Sequence, residues 1–384
     1  NVAYISGTPV GTATGTFNYS LTVSGSTTGQ TVTGTITVSS SASSTTASSS
    51  ISFDSNGTCK CPDASVGDIA TISGTVYTVV DNSTIAGQIA NGNYNLCTTP
   101  VTDMSNLFKD NTSFNSNIGF WDTSNVTNMK YMFYNTSAFN QDIGNWNTSN
   151  VTNMEELFTL AILFNKPIGN WDVSKVIIFK GVFNGADSFN QDIGGWNVSS
   201  GTRMNMMFAG ADSFNQDIGN WDVSNVTAFS NMFNSATSFN QDISNWNVSS
   251  GTSFGSMFTN TPFNQDIGNW DVSNADYLGS MFHLNTSFNQ DISNWNTSNC
   301  LYMGRMFDGA TSFNQDIGSW NTSKVTNMNT MFSEATSFNQ DLSGWCVSGI
   351  STEPSDFAVN SALTEANKPL WGKEFTLTFL GGTQ

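Results

Sequence analysis

Ten Trp residues recur down the chain at a nearly constant interval: Trp121, Trp146, Trp171, Trp196, Trp221, Trp246, Trp270, Trp295, Trp320 and Trp345. Every step is 25 residues except the one from Trp246 to Trp270, which is 24. One supersecondary unit is therefore stacked ten times, and the spacing predicts a solenoid. Each unit of a solenoid contacts mainly its neighbours, so the product is a long surface rather than one enclosed pocket.

The aligned columns say what each unit must do. A Phe opens it (Phe114, Phe139, Phe164 and onward to Phe338), an Ile or Leu stands four residues later, and the Trp three after that. A second Phe closes it, from Phe133 through Phe332. Such columns can stack ring on ring, and aromatic pairs add roughly 0.5–1.5 kcal/mol beyond their area burial. FNQDIGNW reads as a short parallel strand, being rich in Phe, Ile and Trp and bounded by Gly, Asn and Ser. The following stretch, as in Val126, Met129, Met132 and Phe133, spaces apolar residues at three and four and reads as one or two turns of helix. One strand and one helical turn per unit is the leucine-rich-repeat plan. At about 4.8 Å per rung, ten rungs would make a rod roughly 45–50 Å long. The one deletion, in TNTPFNQ around Pro262, falls in the turn before the strand, and the rungs should survive it.

Asn follows the opening Phe in all ten units, as at Asn140, Asn190 and Asn215. A polar residue this constant is expected to point inward and bond the backbone of adjacent rungs. Two residues later runs an Asp column that includes Asp192, Asp217, Asp242, Asp266, Asp291 and Asp316. Like charges one rung apart repel, so these carboxylates must be solvated, hydrogen-bonded to backbone amides or bridged by cations. Turn-capping carboxylates are the first reading and a Ca²⁺ row the second; no other cofactor is expected. Asn117 and Pro167 replace the Asp in two units, so folding does not require the carboxylate.

The net charge of -18, from 29 acidic against 11 basic residues, disfavours nucleic acid and anionic membrane surfaces as partners. The single His, His283, offers no partner set for Ser-His-Asp or Cys-His chemistry, and no enzyme is expected. No apolar run of about 18 residues is present, so no direct membrane insertion is expected. Cys59, Cys61 and Cys97 flank a segment of alternating strand-like and helix-like character that reads as a cap. A bridge from Cys97 to Cys59 or Cys61 would staple it in an oxidising compartment. Cys300 takes a column held by Val126, Val151, Val226 and Val325 and reads as a buried small apolar residue. Cys346 lies in a different column two rungs on, which makes a bridge to Cys300 unfavourable on distance.

Residues 1–55 are nearly uncharged and rich in Ser, Thr and Gly. Period-two runs such as FNYSLTVSG and TVTGTITVSS predict antiparallel strands of a partial β-sandwich. The tract SSSASSTTASSS resembles a linker. Fifty residues are few for a sandwich, and the chain opens at Asn1 without Met, so a processed or excerpted piece is expected. The domains read as 1–55 sandwich and linker, 56–100 cap, 101–349 ten-repeat array, and 350–384 cap and tail.

The units NMNTMFSEATSFNQDLSGW and NMFNSATSFNQDISNWNVSS resemble the repeat of the BspA-like bacterial surface-protein family. YISGTPVGTATGTFNYSLTVSG is similar to the closing half of the Ig-like and PKD-like repeats of large adhesins. The resemblance implies an extracellular or cell-surface protein, exported through a bacterial secretion system, with no catalytic residues to carry over. The expected work is an adhesin or binding scaffold whose partners are an extracellular protein, a glycan or a solid surface. Self-association, or association with other exported proteins, as a stalk or filament subunit is the alternative. A carboxylate-based glycan-cleaving enzyme is a distant third.

Overall fold

The computed structural model describes residues 15–22, 31–38 and 50–372. The chain falls into two units, divided between Ser48 and Ser49. In the first, β1 (Gly15–Thr22) and β2 (Thr31–Val38) pair antiparallel, from Gly15 opposite Val38 to Thr22 opposite Thr31. The alternating sequence accounts for this hairpin; the rest of the expected sandwich, and the Ser-rich tract up to residue 49, lie outside the described residues.

The second unit opens with a small cap. β3 (Ser52–Phe53) pairs with β4 (Cys59–Lys60), so these residues join the cap rather than the N-terminal segment to which the sequence assigned Ser52 and Phe53. β5 (Ile69–Ile72) and β6 (Thr75–Val79) form a hairpin whose two loop residues, Ser73 and Gly74, both have positive φ, as a two-residue loop between right-twisted strands demands. The short helix α1 (Ile85–Ala90) buries Ile85 and Ile89, and β7 (Leu96–Cys97) then lies parallel to β6.

From residue 103 onward the chain is a stack of similar rungs. Parallel bridges join Asp103 to Asn128, Asn128 to Asn153 and so on, without a break, to Asn327. The repeats themselves hold neither an α-helix nor a multi-residue strand. Neither the expected strand nor the expected helical turn forms.

FNQDIGNW is not a strand, because side-chain amides replace the peptide-to-peptide ladder. The Oδ1 of Asn115 accepts the backbone N–H of Asn140 at 2.9 Å, and the Oδ1 of Asn190 accepts that of Asn215 at 3.0 Å. The row ends where Asn339 accepts the N–H of Thr364. The parallel bridges fall instead at the Thr-x-Met segment.

The segment after it is not helical. Met129, Tyr131, Phe133 and Asn135 donate their N–H groups to Asn153, Glu155, Leu157 and Thr159 of the next rung at 2.7–3.0 Å. Between them, bonds from Met132 to Met129 and from Tyr134 to Tyr131 close overlapping four-residue turns. Tyr131 and Asn135 are left-handed, and this pair recurs in eleven successive rungs, from Asn106 and Asp110 to Asp356 and Asn360. Successive turns begin two residues apart, at Met129, Tyr131 and Phe133, yet the buried side chains fall at Val126, Met129, Met132, Phe133 and Thr136, the spacing of three and four that a helix would also give. Alternate amides point to the neighbouring rung, and no i→i−4 ladder can form. The left-handed conformation costs roughly 1–2 kcal/mol for a residue with a Cβ. Gly occupies it at Gly181, Gly185, Gly210 and Gly309; elsewhere the crossing bonds and buried Met and Phe outweigh the strain.

The core is a continuous aromatic stack. Within a rung the two Phe rings lie face to face, as Phe133 and Phe139 do at 4.1 Å, and successive rungs continue the columns, as Phe133 and Phe158 do at 5.4 Å. Phe108 and Phe357 extend the second Phe column beyond the expected ends. Where Gly201 and Gly251 replace Val, they admit the larger rings of Phe179 and Phe254: a Cβ at Gly201 would sit 3.1 Å from Phe179, and one at Gly251 would collide with Phe254. Volume is thus conserved across rungs, which close packing requires.

Each indole crosses a rung boundary. Trp121 Nε1 donates to the Tyr94 carbonyl in the cap, and every later Trp donates to the carbonyl of the Ile three residues before the preceding Trp, as Trp221 does to Ile193 at 3.2 Å. Trp221 is 3 % exposed and stacks on Trp196 and Trp246 at 6.5 Å each. Trp221→Ala should cost about 3–5 kcal/mol by leaving a cavity, whereas Trp221→Phe should cost less because a ring remains. Urea unfolding of the three proteins tests this ordering; an Ala variant within about 1 kcal/mol of the parent would contradict it.

Candidate functional site

The Asp column sits on the flank of the stack, and each carboxylate caps its own turn. The Oδ1 of Asp192, Asp217, Asp266 and Asp316 accepts the N–H of the Gly two residues on at 2.9–3.0 Å. Asp242 and Asp291 do the same for Ser244 and Ser293. Asn117 supplies an identical bond to Gly119 at 3.0 Å, which explains why this column tolerates an amide. The Ser244 amide and hydroxyl hold the Asp242 carboxyl below the usual range, and the Ser293 hydroxyl and amide do so for Asp291. A depressed folded pKa favours the folded state above the unfolded value near 3.9, and that contribution is lost as pH falls through the folded pKa. Among the described residues no group of three or more His, Cys, Asp or Glu side chains is placed to hold a metal ion.

The Asn column bonds from rung to rung as described, but it lies half-buried to exposed on the flank rather than inward. Gln141, Gln191 and Gln216 add a second bond to the same Oδ1 of the preceding rung's Asn.

Cys59, Cys61 and Cys97 meet in the core of the cap, all buried and all free thiols. Cys97 Sγ lies 3.2 Å from the Cys59 carbonyl. Hydrogen bonding to Cys59 and burial push the Cys97 thiol up to about 12, and its bond to Cys97 together with burial raises Cys61 further. These groups are protonated at neutral pH and poor nucleophiles in this state. The expected staple is thus not closed, although Cys97 stands beside both candidate partners. Cap and stack share one core, in which Ile85, Ile89 and Leu96 join the repeat columns and Tyr94 packs on Phe114 at 5.1 Å, and a polar cluster adds to it: buried Asp122 accepts from Lys60 Nζ, Thr99 Oγ1 and Ser124 Oγ at 2.7 Å each. Burial raises its pKa, but these three donors outweigh that and hold it low.

Cys300 is buried, and burial raises its thiol to about 11; Cys346 is a half-buried free thiol. His283 lies in a turn rather than a helix, its Nδ1 3.0 Å from the Asp308 carbonyl, while Arg305 Nε donates to Asp308 Oδ2 at 3.0 Å. It is part of a cross-rung polar cluster.

The surface of the bridge column differs from rung to rung: Asn153, Ile178, Arg203, Ala228, Ser253, Tyr277, Tyr302, Asn327. Lys130, Glu155 and Lys180 form a cross-rung ion-pair chain at 2.7–3.0 Å beside it, and Lys109 lies over the rings of Tyr131 and Tyr134. Tyr277 and Tyr302 stack at 4.7 Å, with a floor made possible by Gly255 and Gly279, where any Cβ would strike the Tyr rings. Sequence reasoning followed the invariant columns and missed this surface, whose only signal is the pairing of Tyr with Gly in adjacent units.

Because Asn can make the turn-capping bond, the double variant Asp217→Asn and Asp242→Asn should melt within about 2 °C of the parent. Millimolar Ca²⁺ and chelator should leave both melting temperatures in place. A rise of several degrees with Ca²⁺ in the parent, absent in the double variant, would instead establish a calcium row.

No curated protein and no solved structure matches the chain. A family model does, in three overlapping tandem stretches: residues 78–183, 164–262 and 252–369. These boundaries start within β6 and run through the whole stack into the closing segment, so the match is to the repeated rungs and their caps. The chain belongs to the repeat family described as "Mycoplasma protein of unknown function, DUF285".

Proposed function

We propose that the chain is a surface-displayed binding scaffold, a solenoid whose rungs carry a variable outer face for attachment to an extracellular protein, glycan or surface. The carrying observation is the contrast between columns. Buried positions repeat nearly unchanged, whereas the bridge column changes chemistry from Ile178 to Arg203 to Tyr277. A uniform scaffold has no need of such variation; recognition of a specific partner does. Exposed apolar side chains accompany it, among them Leu163 at 53 %, Leu301 at 47 % and Tyr277 at 39 % exposure. The resemblance to BspA-like surface proteins and the acidic balance agree with an exported protein. Among the described residues no helix is long and apolar enough to cross a membrane.

The alternative, a filament subunit joined through its ends, is less well supported. The closing segment covers the last rung: Thr364 and Asn367 saturate Asn339, and Phe357 packs edge-on between Phe332 and Trp371. Self-association through the flank is not touched by that argument. Nothing in the arrangement favours glycan cleavage, since each Asp of the repeated column is bound to its own turn.

Labelled full-length protein should bind a defined subset of a glycan array or of immobilised extracellular proteins, saturably. A variant carrying Ile177→Ser, Tyr277→Ser and Leu301→Ser should lose at least tenfold in affinity while melting near the parent. Absence of saturable binding to any target, or binding indifferent to the triple variant, would refute the reading.

A further inference from the structure

The one short rung opens a notch in the side of the stack. In full-length rungs three residues separate the second left-handed position from the opening Phe, as between Ser235 and Phe239; here two separate Asn260 from Phe263. Pro262 stands where neighbouring units carry two residues, and it brings no N–H. In four earlier rungs that place supplies a backbone donor to the preceding one, as Ser188 does to Ile162 and Ser213 to Asp187. The Thr237 carbonyl is left without that donor. The result is a recess of about 250 Å³ between Thr237 on one side and Thr286 and Ser287 on the other.

The lining is neutral and mixed. Thr237, Thr286 and Ser287 contribute hydroxyls and Asn260 an amide, groups able to donate and accept. Pro262 and Leu284 contribute the apolar surface, and no charged side chain takes part. The floor is firmly held: Thr261 Oγ1 donates to the Phe258 carbonyl at 2.9 Å, and buried Asn285 donates to the Phe263 carbonyl and accepts from Ser287 and Phe288. The volume falls below the roughly 300–1,000 Å³ of drug-sized sites and suits a single ring. Uncharged walls give no counterion to a phosphate, carboxylate or ammonium group, whose burial without one is penalised.

We propose that this notch is a binding subsite for one neutral pyranose of an extracellular glycan. Sugar hydroxyls meet the Thr, Ser and Asn groups, and the C–H face of the ring lies against Pro262 and Leu284. This rests on the display reading above and gives it a ligand class and a position. A shallow site for one ring binds weakly, in the millimolar range, and useful affinity comes from neighbouring contacts along the face.

The test restores the missing residue. Replacing Pro262 by a Thr-Ser dipeptide returns the rung to 25-residue spacing and fills the notch with the backbone that other rungs already carry. Thr286→Trp, at an exposed position, blocks the mouth without touching the core. Full-length protein is examined by saturation-transfer NMR against methyl glycosides of glucose, galactose, mannose and N-acetylglucosamine. The parent should transfer saturation to at least one of them, and both variants should lose at least tenfold of that signal while keeping the parent's melting temperature. No transfer to any glycoside, or transfer that persists when both variants are folded, overturns the subsite. Should the restored rung fail to fold, Thr286→Trp alone decides. Failure here is separable from failure of the display reading, because attachment of the whole chain to its targets would then survive both changes.

Discussion

A backbone of overlapping turns can pair only every other amide within its own rung, and the whole array follows from how its amides are met. Half of them in each turn segment cross to the next rung, as from Tyr131 to Glu155, and the left-handed residues are what aim them there. Buried amides without partners would be prohibitive, so a single rung is not a stable object. Stability comes only from repetition, and the side chains that reinforce it also reach across rungs: the Asn Oδ1 row on the flank and the indole N–H row in the core. The Thr hydroxyls of Thr148 and Thr297, which bond carbonyls of the following rung at 2.9 and 3.0 Å, belong to the same scheme. Val replaces Thr at this place in several units, so the hydroxyl supplements a register already set.

This division of labour explains which residues vary. Inner columns must stack on copies of themselves, and a change in one rung propagates to both neighbours unless compensated, as Gly201 and Gly251 compensate for Phe179 and Phe254. Outward positions bear no such constraint. The Lys130, Glu155 and Lys180 chain, the stacked Tyr277 and Tyr302, and the notch at Pro262 each occur once. The rod can therefore carry local chemistry without disturbing its core.

The period, the buried columns and the bonding partners of Asn were legible because each is a repeated signal. Local conformation was not. Buried side chains recur at a step of about three, so Met129, Met132 and Phe133 give the same apolar spacing as a helix, and no propensity scale marks Tyr131 or Leu160 as left-handed. FNQDIGNW carries strand-forming residues, yet its Asn side chain stands in for the peptide ladder that would define a strand. Of the site, the Asp column was visible but ambiguous until each carboxylate was seen bound to its own turn at the second residue on. The notch was invisible, because a missing residue reads as a tolerated gap; only the lost amide at Pro262 and the space between Thr237 and Thr286 give it meaning.

The central claim is that cross-rung bonds in a closed core, rather than any element within a rung, hold the array together. Hydrogen exchange of the ten repeat-column indole N–H groups, followed by NMR in increasing urea, measures this directly, because each is donated across a rung boundary. The account predicts strong protection for the internal indoles and exchange rates that converge as denaturant rises, since losing one rung exposes its neighbours. Rapid exchange of an internal indole such as Trp196 or Trp246 in native buffer, with the protein still folded, would contradict it.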